Sequence, residues 1–97
     1  MPRAYWINTF RAVHDPAKLA AYAELAGRAM EHLGGRFLAR GLPARVFESA
    51  PMERTTLIEF DSVEGAIAAY ESPEYQAALA ALGDGAERDI RIIEAIE

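Results

Sequence analysis

Residues 34–60 read GGRFLARGLPARVFESAPMERTTLIEF, and the fold turns on this stretch. Gly34-Gly35 is a helix stop, and Arg36 to Gly41 then alternates, with Arg36, Leu38 and Arg40 on one face and Phe37 and Ala39 on the other. Arg54 to Phe60 alternates again, placing Thr56, Ile58 and Phe60 opposite Thr55, Leu57 and Glu59. Two strands therefore follow one another with no helix between them. Gly41-Leu42-Pro43 interrupts the first, Arg45 to Glu48 is expected to resume it beyond a bulge or kink, and Ser49 to Glu53, with Pro51, makes the turn.

Upstream, Asp15-Pro16 supplies an N-cap and a proline at the first helical position. Leu19, Tyr22, Ala23, Ala26, Met30 and Leu33 then recur at helical steps as far as the glycine pair. Before that helix, Ala4 to Phe10 is aromatic and β-branched, a strand with Tyr5, Ile7 and Thr9 opposite Trp6, Asn8 and Phe10. Downstream, Asp61 and Glu64 form a capping-box-like start for a helix with Val63, Ala66, Ile67 and Tyr70 as its stripe. Ser72-Pro73 restarts the chain as a short helix through Leu79 or Leu82, Gly83-Asp84-Gly85 ends it, and Asp89 to Ile96 is a last strand.

The order is βαββαβ, an α+β ferredoxin-like arrangement: a four-stranded antiparallel sheet with the helices on one face, expected as a single domain over residues 1–97. The other face then needs cover. With Trp6 or Tyr5, Leu38, Leu57 and Ile93 or Ile92 available there, a two-fold homodimer with facing sheets is expected, its clefts serving as pockets.

The chain has 97 residues, 10 Lys+Arg against 15 Asp+Glu, a net charge of −5 and no cysteine. An acidic chain lacks the clustered cations that grip nucleic-acid phosphates. No thiolate nucleophile, disulfide or Cys-containing zinc site can form. No segment approaches the ~20 apolar residues of a membrane helix, and Arg3, Arg11 and His14-Asp15 break up any secretory signal, so a cytoplasmic protein with no membrane partner is expected.

Ser49, Ser62 and Ser72 lie in no nucleophile motif, and the last two precede helix starts where capping accounts for them. His14 and His32 have no metal-ligand spacing, so no metal is expected. The charged strand residues say more. If the helices cover Phe37, Ala39, Ile58 and Phe60, then Arg40 and Glu59 both point into the open face and the dimer cleft. There Arg40 could orient a carboxylate, enol or quinone oxygen and Glu59 could act as a base; the alternative is a structural ion pair fixing hairpin register or the dimer. Asn8 could share that cleft through its amide. Tyr22 reads first as a core residue, and Tyr75 as core or anion contact at the start of its helix. Together with the capping residues Asp15 and Ser72, these make the ligand-binding candidates Asn8, Asp15, Tyr22, Arg40, Glu59, Ser72 and Tyr75.

Asp15-Pro16 with Tyr22, then Gly34-Gly-Arg-Phe-Leu-Ala-Arg-Gly41, Ile58-Glu-Phe60 followed by Ser62, and Tyr70-Glu-Ser-Pro-Glu-Tyr-Gln76 together resemble the domain-of-unknown-function family 1330 over nearly the whole chain. The resemblance implies a ferredoxin-like fold of the dimeric α/β-barrel kind and no established activity. The fold group includes antibiotic-biosynthesis monooxygenases, haem-degrading enzymes and muconolactone-isomerase-like proteins, which by fold analogy points to small apolar or aromatic ligands. Haem-degrading members combine a first-strand asparagine with a tryptophan and a histidine elsewhere. Asn8 matches the first, but the only tryptophan is Trp6 and no histidine follows His32. Members of the family also commonly carry an arginine soon after the Ser-Pro-Glu-Tyr-Gln run, where this chain has Leu82-Gly-Asp-Gly85.

The expectation is a cytoplasmic homodimer with no cofactor, binding a small apolar or aromatic molecule with an anionic or carbonyl group in the sheet-dimer cleft. Two alternatives stand beside it: a cofactor-independent monooxygenase or isomerase acting on such a molecule, and a non-catalytic dimerisation or sensing module.

Overall fold

The computed structural model describes residues 2–96. In chain order the elements are β1 (Ala4–Val13), α1 (Pro16–His32), β2 (Arg36–Gly41), β3 (Thr55–Phe60), α2 (Val63–Glu71), α3 (Pro73–Leu82) and β4 (Ala86–Glu94). The strands form one antiparallel sheet in the order β2-β3-β1-β4, so the hairpin lies to one side of β1 and the C-terminal strand to the other. This is the ferredoxin-like α+β architecture expected from the element order.

Local chemistry explains the boundaries. Asp15 accepts hydrogen bonds from the backbone of Ala17 at 3.0 Å and Lys18 at 3.2 Å, satisfying two of the donors that open α1. Gly34, at φ +92°, gives α1 the left-handed exit that a β-carbon would resist. Gly35 is needed for a different reason: a Cβ there would lie 2.9 Å from Ile58 Cγ2 and Phe60 Cζ, so its absence lets the end of α1 settle onto β3. The cap of α2 is Ser62, whose hydroxyl accepts from Gly65 N at 3.0 Å, and not Asp61. Asp61 instead accepts from Arg36, which crosses from β2 to reach it.

One face of the sheet carries the helices. Trp6, Ile58 and Phe60 are buried there against Tyr22, Met30, Ala66, Ala69, Tyr75 and Leu82, and Phe10 is buried on the same face. A fully buried Phe, Met or Ile contributes roughly 1.5–3 kcal/mol relative to an exposed one, so these contacts carry much of the fold. Trp6 belongs to this face; Tyr5 lies on the other, pairing with Ile93 and Glu59. The open face thus shows Tyr5, Ile7, Leu57 and Ile93 as an apolar strip. Ile93 remains 56% exposed.

Several boundaries move. β1 runs on to Val13 and β4 begins at Ala86, so residues 86–88 join the last strand. β2 ends at Gly41, at φ +145°, and residues 45–48 do not resume it. The bulge lies earlier: Phe37 pairs with Ile58 and Ala39 with Leu57, leaving Leu38 as the extra residue. No helix among the described residues is long and apolar enough to cross a membrane.

Candidate functional site

The Leu38 bulge decides which side chains meet. Before it, Arg36 pairs with Glu59 on the open face; after it, Ala39 pairs with Leu57 on that face and Arg40 with the buried Thr56 on the helix face. Strict alternation puts Arg40 on the same face as Glu59, but one inserted residue reverses the parity and sets them on opposite faces. The guanidinium of Arg40 lies 4.4 Å over the Phe37 ring, and its Nη1 comes to 3.9 Å from where a Cβ would stand on Gly27 of α1. Ala39, expected beneath the helices, faces the other way for the same reason.

Glu59 stays on the open face, where Arg36 Nε donates to it at 3.0 Å and Arg3 stands 3.8 Å away. It is committed to ion pairs that hold β2 against β3, the structural role weighed in the sequence, although its partner is Arg36 rather than Arg40. Asp15 is occupied by its cap. Ser72 is likewise used in the chain, accepting from Tyr75 N at 3.1 Å and donating to the Ala69 carbonyl at 2.8 Å.

The remaining candidates converge. Asn8, Tyr22, Arg40 and Tyr75 line one narrow chamber between the sheet and α1, together with Trp6, Arg54 and Thr56. Its enclosed volume is about 20 Å³, the room of a single water molecule. Asn8 is 4% exposed, and its Oδ1 has no hydrogen-bond partner. Arg40 and Arg54 have no carboxylate within salt-bridge distance among the described residues.

On the far side of the tyrosines lies a second, wider space. A groove of about 720 Å³ runs between α2, α3 and β4, walled by Ile67, Tyr70, Leu79, Leu82, Ile90 and Ile92. Arg88 stands in this wall, an arginine on the helix face of β4 beside Phe10. Its Nη1 donates to the Tyr22 hydroxyl at 2.6 Å and its Nη2 to the Tyr75 hydroxyl at 3.2 Å, while the two hydroxyls lie 2.6 Å apart. Arg88 also sits 4.4 Å over the Tyr22 ring. No carboxylate neutralises it among the described residues, so a half-buried positive charge is stabilised by two phenols and a π face.

The electrostatics follow from burial. Desolvation holds the Tyr75 hydroxyl well above the ordinary value of 10.0, with the neighbouring Tyr22 adding to the effect and Arg88 opposing it. Tyr75 is therefore a neutral donor throughout the physiological range. Burial disfavours charge on Arg88, but the two tyrosines more than offset it, and the net shift is upward. Sequence reasoning misses Arg88 because the last strand begins at Ala86, three residues before the expected Asp89. The available signal was the Gly83-Asp84-Gly85 stop, after which strand residues 86–88 follow at once.

Trp6 lines the inner chamber, edge-on to Tyr75 at 5.1 Å and tilted to Tyr70 at 5.9 Å. Tyr70 in turn borders the groove. Among the described residues, no three His, Cys, Asp or Glu side chains gather as a metal site.

The architecture is shared with solved structures of low sequence identity. A protein of unknown function from Rhodopseudomonas palustris matches with TM-score 0.72 at 18% identity, over 99% of this chain and 84% of that one. SnoaB, a cofactor-independent oxygenase from Streptomyces nogalater, matches with TM-score 0.63 at 15% identity, over 100% of this chain and 96% of that one. A dimeric ferredoxin-like protein of unknown function from Thermobifida fusca matches with TM-score 0.59 at 17% identity, over 97% and 92% of the two chains. At these identities the likeness concerns the fold. None of the curated proteins matches the chain. The model of the domain of unknown function DUF1330 matches residues 3–96, and the chain belongs to that family.

Proposed function

We propose that this protein binds a small aromatic or largely apolar molecule carrying an anionic or carbonyl oxygen, in the groove between α2, α3 and β4. The observation that carries the reading is Arg88: a half-buried guanidinium in a wall whose other charged residues, Arg11, Glu71 and Glu87, stand among apolar side chains, without a carboxylate within salt-bridge distance among the described residues, and braced by Tyr22 and Tyr75. Mostly apolar walls with a few polar groups are the usual form of a small-molecule site, and about 720 Å³ lies within the usual range. The site thus moves from the sheet-dimer cleft to the helix-covered face, because the bulge takes Arg40 away from the open face.

Self-association remains part of the proposal. The strip of Tyr5, Ile7, Leu57 and Ile93 lacks helix cover, and a second copy laid sheet to sheet would bury it. The dimeric Thermobifida fusca neighbour supports self-association.

A catalytic reading, cofactor-independent oxygenation or isomerisation, draws support from the fold shared with SnoaB. Glu59 is removed from it, being ion-paired on the opposite face. Tyr70, Glu71 and Glu87 line the groove itself, while Tyr22 and Tyr75 reach it through Arg88, and Tyr75, held neutral, would donate a proton rather than accept one.

The direct test is titration with 2-naphthoate and with the neutral 2-naphthalenemethanol, read by isothermal titration calorimetry. The proposal expects the anion to bind at least about tenfold more tightly, and Arg88→Met to abolish that preference. Equal binding of the two by the wild-type protein would overturn it.

A further inference from the structure

We propose that each groove is completed by the second copy of the chain: the partner's loop between β2 and β3, residues 42–54, lies across it, with the partner's Phe47 against its apolar wall. This rests on the sheet-to-sheet pairing of two copies and goes beyond it by fixing which edges of the two sheets meet. The loop exposes Leu42, Phe47 and Met52, the first two at 71% each. It is a built turn: Glu48 is held at φ +57°, where residues with a side chain are uncommon, and Ala50 N donates to the Phe47 carbonyl at 3.2 Å. Phe47 is thus held outward, uncovered by its own chain.

Charge selects the occupant. Residues 36–54 hold four arginines against two glutamates, in a chain that has 10 Lys+Arg and 15 Asp+Glu; the other residues therefore hold 6 Lys+Arg against 13 Asp+Glu. A basic, apolar segment in an acidic protein finds its complement on an acidic, apolar surface. The groove is such a surface, with Glu71 and Glu87 among Ile67, Tyr70, Leu79 and Ile90. Its two arginines are already engaged, Arg11 by Asp89 and Arg88 by the tyrosines. Glu71 has no cation, and Arg45 of the loop no carboxylate, within salt-bridge distance among the described residues.

Only a second copy can bring the two together. β2 and β4 are the outer strands, so a chain's own loop starts three strand spacings, about 14 Å, from its own β4. Loop and groove nevertheless share one end of the sheet: Phe10 N donates to the Arg54 carbonyl at 3.0 Å, and Phe10 pairs with Arg88 on its other side. Two open faces packed about a two-fold axis parallel to the strands lay β2 of one copy over β4 of the other and keep these ends level. The partner's loop then arrives where Glu87 lines the groove at the β4 edge. An axis across the strands would lay β2 on β2 and carry both loops away from the grooves.

The chain has no cysteine, so Phe47→Cys and Ile67→Cys, both at exposed positions, report without background. The two variants are mixed, allowed to exchange subunits and treated with a short bis-maleimide. A covalent dimer joining position 47 to position 67 is expected in the mixture and in neither variant alone. Isotope-filtered NMR of mixed carbon-13-labelled and unlabelled wild-type chains, which needs no substitution, is expected to show the Phe47 ring against the Ile67 and Ile90 methyls of the other copy. A dimer giving neither signal would overturn the docking of the loop and leave self-association standing, whereas a monomer would overturn both. Binding to phosphatidylglycerol vesicles that is lost in Phe47→Ser, in place of the cross-link, would assign the loop to a lipid surface and overturn the proposal as well.

Discussion

The Arg88 guanidinium donates to the Tyr22 hydroxyl at 2.6 Å, joining the last strand to the first helix through a charge that has no carboxylate partner among the described residues. A salt bridge would make the same link at less electrostatic cost. A cation stabilised only by phenols and a ring stays available to an incoming anion, and for that reason the functional reading centres on it.

Tyr75 is fully buried, and its raised pKa makes stability depend on pH in one direction. The folded protein holds the phenol proton more tightly than the unfolded chain does. The contribution is therefore complete below the unfolded value of 10.0 and declines as pH rises beyond it. Chemical denaturation between pH 8 and 11 should show stability falling above about pH 10, and more gently in Tyr75→Phe. Equal slopes for the two proteins would show that Tyr75 ionises as freely folded as unfolded.

Removing the same hydroxyl also tests the bracing of Arg88. Tyr75→Phe takes away two hydrogen bonds, with Arg88 and with the Tyr22 hydroxyl, and leaves Tyr22 on the guanidinium, at a cost of about 1–2 kcal/mol. Tyr75→Ala empties the space beside Trp6 as well and should cost roughly 3–5 kcal/mol in urea unfolding. Similar losses for the two variants would mean that the ring contributes little to the core.

Gly35→Ala should destabilise the protein by about 1–3 kcal/mol, since the added methyl would press on Ile58, Phe60 and the Met30 carbonyl together. Thermal unfolding followed by circular dichroism measures this. A neutral result would show that α1 can lift from β3 without loss.

Ile93→Glu puts a charge into the apolar strip of the open face without touching the helix-side core. Analytical ultracentrifugation should show the wild type as a dimer and the variant as a folded monomer. A wild-type monomer at micromolar concentration would remove sheet-to-sheet pairing from the account.

The element order was legible because its signals are local. Asp15-Pro16, Gly34-Gly35 and Ser72-Pro73 each punctuate the chain through their own backbone preferences, and all three fall at element boundaries in the structure. The site was legible only in part. Asn8, Tyr22, Arg40 and Tyr75 do share one chamber, but on the face opposite to the one that alternation assigned to Arg40. A bulge leaves no composition signal: Leu38 looks like any other strand residue, and only its pairing with β3 reveals the extra position. Arg88 was hidden differently. Its importance comes from Tyr22, 66 residues away, and Tyr75, 13 away, a convergence that no single stretch of sequence displays.

Native mass spectrometry of the protein purified from its own host, wild type beside Arg88→Met, tests the central claim most directly. The account predicts a wild-type dimer that carries a small acidic aromatic or apolar molecule, released on denaturation, and an Arg88→Met dimer of the same assembly without it. An identical load on both proteins would contradict the role given to Arg88, and a wild-type dimer with an empty groove would contradict the binding function itself.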